Sequence, residues 1–240
     1  MGNMGLLDLP RLGRGAVNIG RFAADLFPPN VSVLPTVAVA IVETLQIAFV
    51  GTLLGFAAAL PLALIATPTL FGPAITGPAR LALAVVRTIP SLFWGIIFVV
   101  AVGLGPAAGT LGIALYSLGY LGKLFYEIFE GVDPEVLEAV RAVGCNRLQL
   151  ARYALLPEAA NNLLAQLLFM FEYNVRASSI MGFVGAGGIG FYLLGYIQML
   201  QYDRLMTALV ATLVVVIAID QISARVRRLV LVPTSLGAPA

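Results

Sequence analysis

The sequence predicts an all-α membrane protein, a polytopic bundle of about five transmembrane helices with an interfacial helix at its N-terminal end. Two observations predict it. The 240 residues are 60% hydrophobic and only 11% charged, with a mean hydropathy of +0.97, whereas soluble domains carry charge on roughly a quarter of their residues. The charges are also spaced out. None falls between Arg87 and Lys123 or between Arg176 and Asp203, and Glu43 alone falls between Asp25 and Arg80.

Residues 1–35 read as an N-terminal interfacial segment, 36–229 as the membrane domain and 230–240 as a C-terminal tail. In residues 14–26, Arg14, Asn18, Arg21 and Asp25 share one helical stripe. Ile19, Phe22, Ala23 and Leu26 take the other side, and Pro28-Pro29 stops the helix, a pattern suited to a helix lying in the membrane interface.

A bilayer core needs about 20 helical residues per crossing. The first span is expected near 37–66, with Gly51 and Gly55 as a close-packing pair and Pro61 as a kink. The charge-free stretch after Arg87 exceeds one crossing, and Gly103-Leu104-Gly105-Pro106 divides it, giving spans near 80–102 and 109–128. The fourth is expected near 159–175 and the fifth near 205–222. Arg225, Arg227 and Arg228 follow the fifth span, and Arg141, Arg147 and Arg152 precede the fourth. The positive-inside rule puts both groups in the cytoplasm, and parity then puts the N-terminus outside.

Composition excludes most chemistry. With no histidine and only Cys145, the commonest general base and the common metal sites are missing. A net charge of +2 gives no basis for nucleic-acid binding. Lys123 is the only lysine and its surroundings do not fit GxxxxGK[ST], so ATP hydrolysis within this chain is excluded. Gly185-Ala186-Gly187-Gly188-Ile189-Gly190 matches GxGxxG, but that fingerprint requires a soluble βαβ unit. Between two membrane spans the glycines read better as a bend ahead of a short helix from Phe191 to about Met199, and as part of a gate.

The most polar internal stretch, 130–158, reads as two short helices around a turn. Asp133 suits an N-cap and Pro134 the first helical position; Val136, Val140 and Val143 share a face; Gly144 ends the helix and Asn146 caps the next. Such an amphipathic hairpin needs a cover for its apolar stripe, either the rest of the chain or a separate protein. In the fourth span, Glu172 and Arg176 stand four residues apart, the favourable orientation for an ion pair. They fit an anion-attracting position in the outer part of a pathway, with Asn174 nearby, and equally a fixed structural pair. Lys123 and Glu127 repeat the spacing, and there a structural pair is expected.

Glu138-Ala139-Val140, then Gly144, then Ala154-Leu155-Leu156-Pro157 after nine residues resemble the EAA loop of ABC importer permeases. Val140 stands for the second alanine and Ala154 for the isoleucine. The stretches Glu43-Thr44-Leu45-Gln46, Arg87-Thr88-Ile89-Pro90, Phe171 to Ala177 and Gly182 to Gly190 are similar to permeases of phosphonate ABC importers, over about residues 22–229. The resemblance implies a type I importer fold and a homodimer of this chain. It also implies two cytoplasmic ATPase subunits, which hold ATP and Mg, and an extracytoplasmic binding protein; no cofactor is expected in the chain itself. It further implies that loop 130–158 docks on the ATPase through Glu135, Glu138, Ala139, Arg141, Gly144, Arg147, Leu156 and Pro157. Glu172, Asn174, Arg176, Gly185, Gly187, Gly188 and Gly190 are the candidates for the pathway and its gate. The expected cargo is a phosphonate or a related phosphorus oxyanion. An importer of another small nutrient such as an amino acid is the nearer alternative, and a secondary transporter without an ATPase the more distant one.

Overall fold

A computed structural model describes residues 9–230, and among them every regular element is helical. The ten helices are α1 (Leu9–Asp25), α2 (Leu34–Ile65), α3 (Pro73–Thr88), α4 (Ser91–Val102), α5 (Pro106–Glu130), α6 (Pro134–Ala142), α7 (Arg147–Leu150), α8 (Leu156–Met181), α9 (Ile189–Gln198) and α10 (Tyr202–Val230). The tail expected at 230–240 lies outside the described residues except for Val230.

Three helical stretches, Val31–Ile65, Arg147–Val184 and Tyr202–Leu229, are long and apolar enough to cross a membrane. The span expected at 80–102 is not one straight helix. It begins earlier, at Pro73, and breaks into α3 and α4, which meet at 88°. The cause is local: Pro90 clashes with a helical residue before it, and Ile89 accordingly takes an extended conformation, φ −82° and ψ 120°.

The third membrane segment, α5, is 25 residues long and falls outside the set of helices that are long and apolar enough to cross a membrane. It meets other helices more than lipid: it packs on α2, α3, α4 and α8, and its contact with α2 is the most extensive in the bundle. A Cβ on Gly51 would stand 2.6 Å from Ile113, and one on Gly55 2.5 Å from Ser117. The glycine pair of α2 therefore serves a contact inside the chain. The successive contacts 51 with 113 and 55 with 117 also show that α2 and α5 run in the same direction, as the first and third crossings must.

Beneath the bundle, Phe125, Phe129, Leu137, Leu150 and Leu155 join Ala59, Ala63 and Ala159 in one buried cluster. This cluster seats the α6–α7 hairpin on the ends of α2, α5 and α8. At the opposite end, α1 is helical where the stripe pattern expects it. Phe22 meets the Tyr202 ring edge-on at 5.0 Å, while Val17 and Ile19 stay exposed.

Candidate coupling face and translocation cleft

The hairpin is built from local signals. Asp133 accepts a hydrogen bond from Glu135 N at 2.9 Å. Asn146 and Gln149 form a reciprocal capping box, at 2.9 and 2.8 Å, and Gly144 takes φ +83°. A π-helical turn, Ala151–Leu155, then runs straight into α8, so α7 and the fourth membrane segment form one continuous helical rod.

The stripe expected at Val136, Val140 and Val143 is corrected in part. Leu137 is the buried residue and Val140 packs beside it, because the platform under α6 lies on that flank. Val143 is 83% exposed and Leu148 77%, so the apolar tip of the hairpin has no cover among the described residues. Glu135, Glu138, Ala139 and Gly144 are exposed on the same element. Arg141 and Arg147 face inward along the surface: Arg141 donates to Thr69 O at 3.1 Å, and the Arg147 guanidinium stands 5.7 Å from the centre of the Phe71 ring. Both tie the hairpin to the α2–α3 loop. Leu156 packs on the core cluster and Pro157 is exposed at the first turn of α8.

The expected Glu172–Arg176 pair does not form. Glu172 Oε1 lies 2.9 Å from Arg227 on α10, and Arg176 lies 3.4 Å from Asp220, also on α10. Arg176 reaches only the backbone of Glu172, donating to its carbonyl at 3.4 Å. The local spacing loses because α10 packs against α8 and offers each side chain a partner of opposite charge across the interface. Lys123 and Glu127 do pair, at 2.6 Å. Asn174 is fully buried and donates to Thr52 and Ser117, both at 2.8 Å, which locks α8 to α2 and α5. It does not line the cleft that Arg176 reaches.

Arg176 opens into a cleft of about 460 Å³ between α8 and the first turn of α4, with Pro90, Ser91, Tyr173 and Met181 around it. Its partner Asp220 lies ~27 Å along α10 from Tyr202, at 1.5 Å per residue, and the neighbouring Asn174 sits level with Thr52, ~27 Å along α2 from Leu34. Arg176 thus stands near the middle of the bundle, deeper than the outer position expected from sequence.

The glycine-rich segment turns the chain as expected. Gly185, Gly187 and Gly188 have φ of +82°, +83° and +75°, and a Cβ on Gly190 would stand 2.1 Å from Ser179 O. Sequence reasoning missed what holds it. Glu43 Oε1 accepts from Gly188 N at 2.9 Å and Thr44 Oγ1 from Ile189 N at 2.8 Å. These two side chains of α2 cap α9 from 145 residues away. They also consume the N–H groups that a dinucleotide phosphate would need, which disposes of the GxGxxG reading. The available signal was Glu43's isolation, since an ionisable residue inside a membrane span needs a reason.

Replacing Glu43 by Ala should free the Gly188 amide and cost about 0.5–2 kcal/mol of local capping, whereas Glu43→Gln keeps an acceptor. With Cys145 replaced by Ser and Ala186, which is fully buried, replaced by Cys, thiol labelling should be faster in the Glu43→Ala protein and near the parent rate in Glu43→Gln. Equal rates in all three would remove the latch.

The comparisons with known proteins meet this geometry. Residues 51–231 match the model of the binding-protein-dependent transport system inner membrane component family. The chain belongs to that family. It is 37% identical to the phosphite transport system permease protein PtxC of Stutzerimonas stutzeri over 94% of this chain and 82% of the relative. It is 38% identical to the phosphate-import permease protein PhnE of Mycolicibacterium smegmatis, over 84% of this chain and 38% of that longer protein. Among solved structures, a chain of the inward-facing methionine ABC transporter MetNI superposes with a TM-score of 0.72 at 26% identity, covering 83% of this chain and 98% of that one. The chain is therefore an integral membrane component of an ABC-type importer with a type I permease fold, a transporter part and not an enzyme.

Proposed function

We propose that this permease carries a phosphorus oxyanion, a phosphonate, phosphite or phosphate, across the inner membrane. Two copies form the route, two cytoplasmic ABC ATPases with their ATP and Mg drive it, and an extracytoplasmic binding protein delivers the cargo. The observation that carries this reading is the hairpin: a capped, rigidly seated element whose apolar tip, Val143 and Leu148, is exposed and continuous with α8. An exposed apolar tip on a firm base suits insertion into a groove of another protein. Closure of the ATPase dimer then moves α8, and with it the cleft at Arg176 and the glycine-rich segment capped by Glu43. The relatives named for phosphite and phosphate support the cargo, and a cation at mid-depth suits it electrostatically.

The C-terminus is assigned to the cytoplasm and the N-terminus to the outer side. Arg225, Arg227 and Arg228 at the end of α10 support this by the positive-inside rule.

The docking can be tested with a single cysteine at Val143 or Leu148 in the protein with Cys145 replaced by Ser. Each should crosslink to a co-expressed ATPase subunit, and a cysteine at Val17 on α1 should not. Absence of any adduct from both hairpin positions would contradict the docking face.

A further inference from the structure

We propose that the cleft between α4 and α8 is an oxyanion-binding site within the permease itself. Asp220, reaching Arg176 from α10 beside the cleft, is the resident counter-ion, and it yields that place to the cargo. The proposal rests on the phosphorus-oxyanion reading above and adds to it a site, a ligand contact and a competitor.

The Arg176 and Asp220 side chains are 53% and 42% exposed, at the middle of a membrane bundle. A charge facing lipid at that depth costs about 2.5–3.5 kcal/mol or more. A half-exposed pair there belongs to a surface that meets water. The face of the chain carrying the cleft is therefore the wet one, which makes it the wall of a route and not a lipid boundary.

The pair is also loosely made. Its 3.4 Å separation exceeds the ~2.7–2.9 Å of a firm charge-assisted hydrogen bond, and the contact engages one Nη of the guanidinium and one carboxylate oxygen. A phosphonate, phosphite or phosphate group offers several oxygens to the planar fork and takes it in the bidentate manner that arginine favours. The glutamate on the same helix is committed elsewhere, since Glu172 pairs with Arg227. Asp220 is thus the carboxylate that an incoming anion must displace.

The rest of the cleft suits such a ligand. Its volume of about 460 Å³ falls within the roughly 300–1,000 Å³ of ordinary ligand sites and leaves room for water around a small anion. Ser91 and Tyr173 line it, and the Tyr173 hydroxyl accepts from that of Tyr116 at 3.4 Å, which leaves its own proton, with that of Ser91, to donate. The first turn of α4, uncapped by any side chain, adds backbone N–H groups on the same side.

The test uses the complete transporter in lipid nanodiscs, with methylphosphonate and phosphite as probes. Binding is measured without the binding protein and uptake with it. Arg176→Gln should weaken probe binding roughly ten- to a hundredfold, the loss expected for hydrogen bonds to a charged group, with little change in thermal stability. Asp220→Asn removes the competitor and should tighten binding roughly two- to fivefold, the range of a half-exposed ion pair. Arg176→Lys, which keeps charge without the fork, should fall between Arg176→Gln and the parent.

Unchanged probe binding in Arg176→Gln, in a transporter that takes up the probes normally, would overturn this site while leaving the transport reading intact. Equal destabilisation by Arg176→Gln and Asp220→Asn, rescued in the double variant with probe binding unaltered, would make the pair structural and also overturn it. A parent transporter that takes up neither probe and no phosphate would overturn the cargo reading itself, and with it this ligand.

Discussion

Gly144→Val should abolish coupled transport while the protein still inserts and assembles. Gly144 sits at φ +83°, and the space where its Cβ would go is empty, so the damage comes from the backbone and not from a clash. Holding a β-branched residue in that region costs about 1–3 kcal/mol, or the hairpin refolds its turn and moves Val143 and Leu148. Either outcome corresponds to roughly a ten- to hundredfold loss in a docking equilibrium. Gly144→Asn should keep most activity, because asparagine visits the left-handed region readily. ATP hydrolysis and uptake measured together distinguish the cases: the valine variant should retain basal hydrolysis and lose uptake. Normal uptake in that variant would show that this turn does not transmit the stroke.

Arg227→Gln should destabilise the protein by about 2–3 kcal/mol. It leaves the Glu172 carboxylate, 7% exposed, without its counter-charge. Stranding a buried charge costs about 3–5 kcal/mol in a dry interior, and the Arg227 side chain, 31% exposed, reduces that figure. Glu172→Gln in the same protein should restore most of the loss, since two neutral side chains need no counter-charge. Arg176→Gln should have a much smaller effect on the melting temperature, because Arg176 reaches only the backbone of Glu172 and its own ion-pair partner, Asp220, is half-exposed. A large loss from Arg176→Gln and none from Arg227→Gln would reinstate the four-residue pair that sequence spacing suggests.

These contrasts mark what can be read from the chain alone. Features governed by neighbours in sequence were legible: the Asp133 cap, the Gly144 turn, the Asn146 cap, and the bend from Gly182 to Gly188 into α9. Each depends on φ and ψ preferences or on hydrogen bonds spanning three residues. The long apolar helices were legible for the same reason, as length and hydropathy are local sums. Ile89-Pro90 was also a local signal, and it breaks the second span where an extended run of apolar residues suggested continuity.

Features governed by packing between helices were not legible. Glu172 has a favourable partner four residues away, and only the placement of α10 shows that Arg227 takes it. The face of α6 that is buried depends on which flank the platform occupies, and valines and leucines at three- and four-residue steps allow two answers. The glycines of α2 show close packing in the sequence without saying whether the partner is another copy or α5. Glu43 is the instructive case, since its isolation in an apolar span marks it as significant, yet its role as the cap of α9 exists only once residues 43 and 188 meet.

The central claim is that this chain is the membrane route of an ATP-driven importer for a phosphorus oxyanion, and uptake tests it most directly. The permease should be reconstituted in proteoliposomes with its ATPase and binding protein, and accumulation of radiolabelled phosphite, methylphosphonate and phosphate followed. At least one of the three should accumulate against its gradient when ATP is supplied to the ATPase side, and not with a non-hydrolysable analogue. Accumulation without nucleotide, or ATP-driven uptake of an amino acid with none of the three anions, would contradict the account.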